Sequence, residues 1–360
     1  MNRLLQAAVR SGLFSFLLAF AIAGTTQSAE VEKLGAPTDA MRPNPAARLP
    51  KGDGASEHWD LTVRLESGHW LVARFIITGI GPGDRNALVI GHVIKPDGST
   101  IRFKNGRKRD RWTLAADGRA LDVGTSHLTL RDPAYRIFID KDAARIDLRF
   151  PGEAVPQPPG DLFPDGYGLE ILALAAVVEG SLELPGMATP LAVRGRAALT
   201  HTFMDRDEGD LVARRIDFYN VAEPALYAVD WTRPNGERGQ WLAALPQPGE
   251  GFATSQFEVH LEGRLTSVQR EGYPVPSGIR LSGACAVGQI DLAKRLLESD
   301  PLSILPQPLR WFAGLRMKPH RVWADGPFGV TLRDCSNHPP VAIRGTGITA
   351  LTFLNRLDHH

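Results

Sequence analysis

Cysteine is scarce in this chain of 360 residues, which contains only Cys285 and Cys335 and no CxxC pair. Zinc ribbons and thioredoxin-type redox sites need closely spaced thiols, so the sequence argues against both. In an exporting compartment the two thiols could form a disulfide. Closing a loop of about 50 residues in this way would stabilise the fold by roughly 4 kcal/mol in the chain-entropy model. The sequence leaves open whether the two residues approach each other.

An excess of one charge is also missing. Lys and Arg number 41 against 40 Asp and Glu, and removal of residues 1–29, which contain two arginines and no acid, would leave 39 basic residues. A nucleic-acid binder needs a net basic face to displace counterions. We therefore expect no nucleic-acid partner.

Long apolar runs are confined to the N-terminus. There Arg3 and Arg10 precede the run GLFSFLLAFAIAG, and the small residues of TTQSA follow, which is the pattern of a secretory signal peptide. No later segment reaches the roughly 18 to 20 apolar residues that a transmembrane helix requires. We expect residues 1–29 to be a cleaved signal peptide and residues 30–54 to be a flexible arm rich in Pro, Ala and Gly. The protein would then be exported to the periplasm or cell envelope.

The common hydrolase, nucleotide-binding and metalloprotease motifs are absent, since there is no GxSxG, no GxxxxGK[ST] and no HExxH. One acidic run, MDRDEGDL, extends from Met204 to Leu211. It lacks the distant bidentate glutamate of an EF-hand, so we interpret it as a solvated hairpin turn. We expect no metal site and no cofactor.

The sequence does contain period-two alternation. Trp59, Leu61, Val63 and Leu65 are apolar and the residues between them are polar, which predicts a half-buried antiparallel strand. Further short alternating segments follow, separated by turn triplets such as PGD, PDG and ADG. Many short strands with regular turns predict an all-β barrel or sandwich.

One segment of the second half has a different spacing. Ile290, Ala293, Leu296 and Leu297 recur at helical intervals, so we predict one short helix there, followed by a proline-interrupted connection. The cationic run RWFAGLRMKPHR comes next. It is either a solvated connection or a segment that contacts a membrane surface.

An internal repeat indicates duplication. LVARFII begins at Leu71 and LVARRID at Leu211, 140 residues later, and the turns IKPDGST and TRPNGER have prolines 138 residues apart. Two matches in the same order and nearly the same register favour two copies of one unit. We therefore predict an N-terminal barrel over residues 55–188 and a C-terminal barrel over residues 189–357, packed together.

The most recognisable stretches are SEHWDLTVRLESGHWLVARFIIT, VIKPDGSTIRF, RGRAALTHTFMDRDEGDLVARRIDFYN and LYAVDWTRPNGERGQWLA. They resemble the tandem lipocalin-like superfamily, which includes the AttH proteins, the carotenoid 1,2-hydratases (hydroxyneurosporene synthases, CrtC) and the survival-factor proteins. The resemblance covers about residues 55–355. It implies two calycin-type β-barrels packed side by side, with an apolar ligand held in or between them.

The hydratases of this superfamily have a strand motif of the form G-x-G-Y-x-D-H-x-W. In this chain Gly195 matches its first glycine and His201 its histidine. Thr200 stands where the motif has its carboxylate, and Phe203 stands where it has its tryptophan. Because protonation of an alkene needs a positioned acid, the missing carboxylate favours binding over hydration.

Strand parity places His201 on the same face as Ala197 and Leu199, so we predict that its imidazole points into a barrel. The repeat aligns this position with Leu61, an ordinary core residue. The imidazole is then either a core histidine satisfied by a backbone carbonyl or water, or an acid or base in a pocket.

Two carboxylates are candidates to assist His201 in catalysis. Glu170, in the apolar stretch YGLEILALAAVVEG, could act as a general acid with a raised pKa, pair with an arginine or cap the end of its strand. Asp205 could orient the imidazole from the neighbouring turn. Five aromatic residues are candidate ligand contacts, each with the alternative of a plain core role: Trp59, Tyr167, Phe203, Trp231 and Trp241.

The first functional hypothesis is an exported binding protein or carrier for a long apolar ligand, such as an isoprenoid or acyl lipid, whose hydrocarbon the barrels remove from water. The alternative is a cofactor-independent enzyme of hydratase, isomerase or cyclase type, with His201 as acid or base. A structural partner of an export complex is a third interpretation, and it predicts no bound lipid.

Overall fold

The computed structural model of the protein describes residues 42–80, 85–142, 144–246, 251–264, 273–292, 294–304, 307, 310, 311, 314, 318–333 and 340–354. The predicted signal peptide, the first half of the predicted arm and part of the cationic run lie outside these residues. Residues 31–360 belong to one compact unit. In the described part of the chain, no helix is long and apolar enough to span a membrane.

The alternating segments of the first half pair with one another as antiparallel strands. The strands are β1 (Ser56–Leu65), β2 (Trp70–Thr78), β3 (Asn86–Ile94), β4 (Thr100–Arg107), β5 (Trp112–Leu114), β6 (Ala120–Val123), β7 (Ser126–Thr129), β8 (Tyr135–Lys141), β9 (Ala144–Phe150), β10 (Tyr167–Glu183) and β11 (Leu191–Met204). Their order in the sheet is β4-β3-β2-β1-β11-β10-β9-β8-β7-β6-β5. The chain thus returns after a long excursion to place β11 beside β1.

A second antiparallel sheet follows. Its strands are β12 (Arg214–Asn220), β13 (Ala225–Thr232), β14 (Arg238–Leu245), β15 (Phe252–Thr254), β16 (Glu258–Glu262), β17 (Gly278–Ser282), β18 (Ala286–Asp291), β19 (Lys294–Ser299), β20 (His320–Leu332) and β21 (Val341–Phe353). The order is β15-β14-β13-β12-β21-β20-β18-β17-β16, and β19 also pairs with β20. The protein is therefore nearly all-β, with two barrel-like sheets, as predicted.

A short helix is present, as predicted, but it is not at the residues whose spacing suggested it. The helix α1 (Glu208–Leu211) lies in the acidic run, whereas Ile290 is in β18 and Leu296 is in β19. The apolar residues of two short strands in succession are spaced by chance at helical intervals. Ala293 lies outside the described residues. The acidic run is also not a hairpin turn, because with α1 it connects β11 of the first sheet to β12 of the second.

The register of the predicted repeat is wrong by one strand. In both sheets the last strand, β11 or β21, pairs with the first, β1 or β12, so β12 corresponds to β1. The 140-residue repeat aligned β12 with β2 instead, and its equivalence of His201 with Leu61 fails with it. The boundary predicted between residues 188 and 189 assigns β11 to the second barrel, whereas its hydrogen bonds place it in the first sheet. Duplication itself stays a prediction.

Apolar side chains fill the interior of each sheet and also the space between the two sheets. Strand β1 takes part in two of these cores, because Leu61 and Val63 lie in the first interior while His58 and Thr62, on the opposite face, are buried as well. The predicted half-buried strand is therefore covered on both faces. Its polar face meets the second sheet rather than water.

Cys285 is fully buried and held in a disulfide. No described cysteine is free. The other cysteine of the chain, Cys335, lies outside the described residues.

Candidate functional site

Strand β11 carries the predicted histidine and separates two environments. Ala197 and Leu199 lie in the first core, and His201, two residues further on, is fully buried on the same face. Ala198 and Thr200 lie on the opposite face, toward the second sheet. The inward direction predicted from strand parity is therefore confirmed.

We call the group around the histidine the interior site, which consists of His201, Trp59, Glu57, Glu170, Arg48 and Phe203. Trp59 is directly opposite His201 across β1 and β11. Their rings stack, with 4.6 Å between centroids and 7° between planes. The Phe203 ring adds a tilted contact at 5.4 Å. The imidazole thus lies in an aromatic setting at one end of the first barrel.

Two carboxylates flank this imidazole. His201 Nε2 is 3.1 Å from Glu57 Oε2, and its Nδ1 is 3.5 Å from Glu170 Oε2. The buried Glu57 carboxylate also accepts the backbone N–H groups of Arg48, at 2.8 Å, and Leu49, at 3.1 Å. Glu170 pairs with the Arg48 guanidinium, one of the alternatives considered from the sequence. The interior site therefore fixes the arm to the end of the barrel.

Asp205 does not join this site. Its carboxylate pairs with the neighbouring Arg206 at 2.7 Å, and its side chain is 40% exposed. The hydrogen bond from Arg206 lowers the pKa of the Asp205 carboxyl. Within the described residues, no three His, Cys, Asp or Glu side chains are placed to hold a metal ion, those of the acidic run included.

The opposite face of β11 meets a second polar group. We call it the inter-sheet site, which consists of His58, Asp60, Arg74, Tyr167, Thr200, Thr202, Arg215, Asp217, Tyr219, Tyr227 and Arg321. Asp60 is directly opposite Thr200 in the register of β1 and β11. Arg74 donates to both carboxylate oxygens of Asp60, at 2.5 and 2.6 Å. His58 Nε2 lies 3.3 Å and Arg321 Nη1 lies 3.7 Å from the same carboxylate.

These charges determine the protonation of the Asp60 and His58 side chains. Burial alone would raise the pKa of Asp60, but the Arg74 guanidinium, with His58 and Arg321, holds it well below its usual range. Burial and the Arg74 charge lower the pKa of His58. Near neutral pH the carboxylate is therefore ionised and the imidazole is neutral.

Arg215 reaches from the second sheet to the first. Its Nε and Nη2 donate to Asp217 Oδ1, at 3.0 and 2.7 Å. Its Nη1 donates to the Tyr167 hydroxyl at 2.8 Å and to Thr202 Oγ1 at 3.0 Å. Tyr227 donates to Asp217 Oδ1 at 2.7 Å. Because buried polar groups need partners, this network ties the two sheets together.

Three phenols of the inter-sheet site stay protonated. Burial raises the pKa of Tyr167, Tyr219 and Tyr227. The Asp217 carboxylate raises the pKa of Tyr219 and Tyr227 further. The site therefore combines the ionised Asp60 carboxylate, which accepts hydrogen bonds, with neutral phenols, which donate them.

The five predicted ligand contacts do not form one site. Trp59 and Phe203 belong to the interior site, whereas Tyr167, Trp231 and Trp241 lie in the core between the two sheets. Strand β11 separates the two groups. The set predicted from the sequence is thus divided between the two faces of a single sheet.

Sequence reasoning missed most of the polar residues of both sites, among them Glu57, Asp60, Arg215, Asp217 and Tyr219. They occupy strands whose polar positions suggest a solvated face. A signal for Asp60 was present only indirectly, because its position opposite Thr200 follows once β1 is known to pair with β11. That pairing joins segments about 140 residues apart, which local patterns do not reveal.

Comparison with known proteins addresses the fold. No protein-family model matches the chain, and no curated protein sequence matches it significantly. Among solved structures, an AttH-like protein from Nitrosomonas europaea is similar with a TM-score of 0.61 and 15% identity, over 87% of this chain and 98% of that protein. Kievitone hydratase from Nectria haematococca is similar with a TM-score of 0.57 and 12% identity, over 90% of this chain and 98% of that protein. The structure of CghA with Sch210972 is similar with a TM-score of 0.58 and 12% identity, over 92% of this chain and 98% of that protein. The chain therefore shares its fold with these proteins, one of which is of the AttH type that its motifs resemble.

Proposed function

We propose that the chain is a cofactor-independent lyase or isomerase of hydratase type, acting in the inter-sheet site on an apolar substrate such as an isoprenoid that bears a conjugated carbonyl group. One observation carries the proposal. Asp60, on the adjacent strand, supplies a carboxylate directly opposite Thr200, the position where the hydratase motif has its own. Directly opposite residues share a face of the sheet. The reason to prefer binding over hydration, the absence of that carboxylate, therefore no longer applies.

The charges of the site also favour chemistry over storage. Arg215 and Asp217 are buried, and Asp60 is largely so. Taking ionised groups out of water is costly, even when they are paired. Binding of hydrocarbon does not itself need such groups, whereas the movement of protons does.

In this proposal each group has a defined task. For hydration, the neutral His58 imidazole takes a proton from water as the water oxygen bonds to the β-carbon of the conjugated substrate. The Asp60 carboxylate, 3.3 Å from His58 Nε2, orients the imidazole and stabilises its positive charge. The electron pair of the double bond moves to the carbonyl oxygen, which the neutral Tyr219 phenol stabilises with a hydrogen bond. The α-carbon then takes a proton from solvent while His58 releases its own to solvent, which restores the neutral imidazole. Isomerisation uses the same groups, with His58 removing a proton beside the carbonyl and a proton returning at another carbon.

The comparisons support this class of reaction without defining the substrate. Kievitone hydratase, which shares the fold, is named for a hydratase activity. The predicted signal peptide supports a further part of the proposal, that the protein works outside the cytoplasm. His201 is less suited to act on substrate, because its ring stacks on Trp59 and its Nε2 lies 3.1 Å from Glu57, which anchors the arm.

The carrier function is the second candidate. It is favoured by the aromatic residues at one side of the inter-sheet core, where the Phe163 ring lies 6.1 Å from that of Trp231, and Trp241 is buried in the same core. These rings would contact hydrocarbon. In the enzyme they would hold the apolar part of the substrate, so the two functions differ in whether a bound molecule is changed.

Deuterium labelling tests the proposal without a known substrate. The purified protein is incubated with a lipid extract of its host's envelope in D₂O, and mass spectrometry follows compounds that gain deuterium on carbon or the mass of D₂O. We expect at least one apolar compound to be labelled by the unaltered protein. Asp60→Asn should slow labelling at least about 100-fold, the scale of general acid–base catalysis.

The controls separate loss of chemistry from loss of folding. Asp97→Asn alters a solvent-exposed aspartate in the turn between β3 and β4 and should label at the normal rate. Tyr219→Phe removes the phenol without a charge and should slow labelling while the circular dichroism spectrum is retained. The enzyme proposal fails if extract compounds bind but none is labelled, or if folded Asp60→Asn labels normally. His201→Gln distinguishes the two sites, since it should leave most of the labelling rate intact.

A further inference from the structure

A cavity of about 350 Å³ lies between the two sheets, apart from both sites. One wall is formed by His92 of β3 and Arg102 of β4, which are directly opposite each other. The other wall comes from the second sheet and the turn after β19, and consists of Glu298, Ser299, Asp300, Ser303, Arg310 and His320. The volume falls within the range of small-molecule sites, roughly 300 to 1,000 Å³.

The acids of the cavity already have partners in its own wall. Glu298 Oε1 accepts from His320 Nε2 at 2.8 Å. Asp300 Oδ2 accepts from Arg310 Nη2 at 3.1 Å, and its Oδ1 accepts the backbone N–H of Leu302 at 2.9 Å. These carboxylates are therefore not available to recognise a cationic ligand.

The donors on the first-sheet wall are different. Arg102 donates to the neutral Ser303 hydroxyl at 3.3 Å, and among the described residues no carboxylate lies within ion-pair distance of it. His92 Nδ1 is buried and has no hydrogen-bond partner in the described part of the chain. Burial and the Arg102 charge lower the pKa of His92 to about 4, so its imidazole is neutral near neutral pH. A guanidinium and a neutral imidazole N–H on one wall suit an anionic oxygen group.

Strand β20 runs from the cavity wall, at His320, to the inter-sheet site, at Arg321. Ser299, on the cavity wall, pairs with Arg321 in the register of β19 and β20. The Arg321 guanidinium lies over the Trp323 ring at 5.2 Å and reaches Asp60 at 3.7 Å. The Trp323 ring is also 6.4 Å from His92. An apolar chain that leaves the cavity along Trp323 would therefore approach the inter-sheet site.

We propose that this cavity binds the carboxylate or phosphate of an amphipathic ligand, with Arg102 as the charge partner and His92 as a second donor. The ligand would be an apolar acid whose hydrocarbon extends along Trp323. Only the identification of this ligand with the substrate rests on the proposed function. Recognition of the anionic group is independent of any chemistry at Asp60.

Calorimetric titration with decanoate, decyl phosphate and decanol tests the proposal. The three probes share one chain and differ in the head group, so their affinities isolate the anion. We expect at least one of the two anions to bind the unaltered protein at least ten-fold more tightly than decanol. The tighter of the two anions then identifies the source as a carboxylate or a phosphate.

Variants assign the effect to the cavity. Arg102→Gln, at an exposed position that should tolerate the change, is expected to abolish the preference for the anions over decanol. Arg107→Gln alters another arginine of β4 that does not line the cavity, and should keep the preference. Equal binding of decanol and both anions, or an unchanged preference in Arg102→Gln, would overturn the proposal. Because deuterium labelling measures chemistry and this titration measures binding, failure of one leaves the other interpretable.

Discussion

The two faces of β11 bury polar groups in contrasting ways. On the interior face, His201 is the polar exception among apolar neighbours such as Leu199, and its partners gather at one end of the barrel. On the inter-sheet face, Thr202 belongs to a network that includes residues of both sheets, with Arg215 and Asp217 buried within it. On the interior face, the polar contacts surround one side chain and hold the arm at the barrel end. On the inter-sheet face, charged side chains connect the two sheets.

The contrast shows how two packed barrels can bury a polar face. A polar face that would be solvated in a single barrel becomes an interior when a second barrel covers it. Residues such as Asp60 and Arg74 then retain their charges in a space largely shielded from water. Electrostatic interactions are stronger there than at a surface, which is why this face can stabilise the association of the two sheets.

Asp217→Ala should give the largest loss of stability. It leaves the buried Arg215 guanidinium without its carboxylate, and breaking a buried pair on one side costs about 3–5 kcal/mol. Urea unfolding followed by tryptophan fluorescence measures the change. The matched control Asp210→Ala, at an exposed position of the acidic run, should remain within about 0.5 kcal/mol of the unaltered protein.

A double variant determines whether the network or the lost charge partner causes that destabilisation. Replacing Arg215 and Asp217 together by leucine removes both charges, and should recover most of the stability lost in Asp217→Ala. A loss below about 1 kcal/mol in Asp217→Ala would show that the inter-sheet network contributes little.

The second prediction concerns the pH dependence of stability. It rests on His92, between the two sheets, whose pKa burial lowers to about 4. Between pH 6.5 and about 4 the unfolded imidazole binds a proton that the folded one does not, so stability falls as the pH falls. From pH 6.5 to pH 5 the loss due to His92 should be about 2 kcal/mol. Urea midpoints at several pH values give the slope.

His92→Gln should make this slope shallower by a similar amount. His58, whose pKa is also lowered by burial, keeps a residual slope of the same sign. An unaltered slope in His92→Gln would place the acid sensitivity elsewhere in the molecule.

Much of the fold could be predicted from the sequence, because its cause is local. Alternation from Trp59 to Leu65 needs only the two-residue period of a strand, and the same period gave the inward direction of His201. The helix predicted around Ile290 failed because apolar spacing over eight residues does not distinguish a helix from two short strands.

The candidate sites depended on information that is not local. Asp60 lies opposite Thr200 of β11 and is reached by Arg321 of β20, and no pattern within β1 indicates either. The 140-residue repeat gave a misleading register because similar sequence letters fell on β2 and β12, which have different places in their sheets. Side chains such as Glu57 are buried only because distant segments cover them.

Glu57→Gln tests the interior face and should have a smaller effect. The amide retains one acceptor oxygen, but the carboxylate accepts two backbone N–H groups from the arm as well as contacting His201. Leaving one buried donor unsatisfied costs about 1–3 kcal/mol. The exposed Glu66→Gln should have no comparable effect in the same urea titration.

Limited proteolysis adds a local measure of the same variant. Since Glu57 holds Arg48 and Leu49 at the barrel end, trypsin should cleave after Arg48 faster in Glu57→Gln than in the unaltered protein. Unchanged cleavage combined with reduced global stability would mean that Glu57 supports the barrel rather than the arm.

The smallest effect is expected for Thr200→Val, which keeps the shape of the side chain and removes its hydroxyl. Stability should change by less than about 1.5 kcal/mol, because the charged partners of Asp60 are retained. Deuterium labelling should also fall by no more than a few-fold if Asp60 has taken over the function of the motif's carboxylate. A loss as large as that of Asp60→Asn would instead place the chemistry at position 200 itself. The pair of variants therefore decides which of two facing strands carries the reacting group, a question that neither strand answers alone.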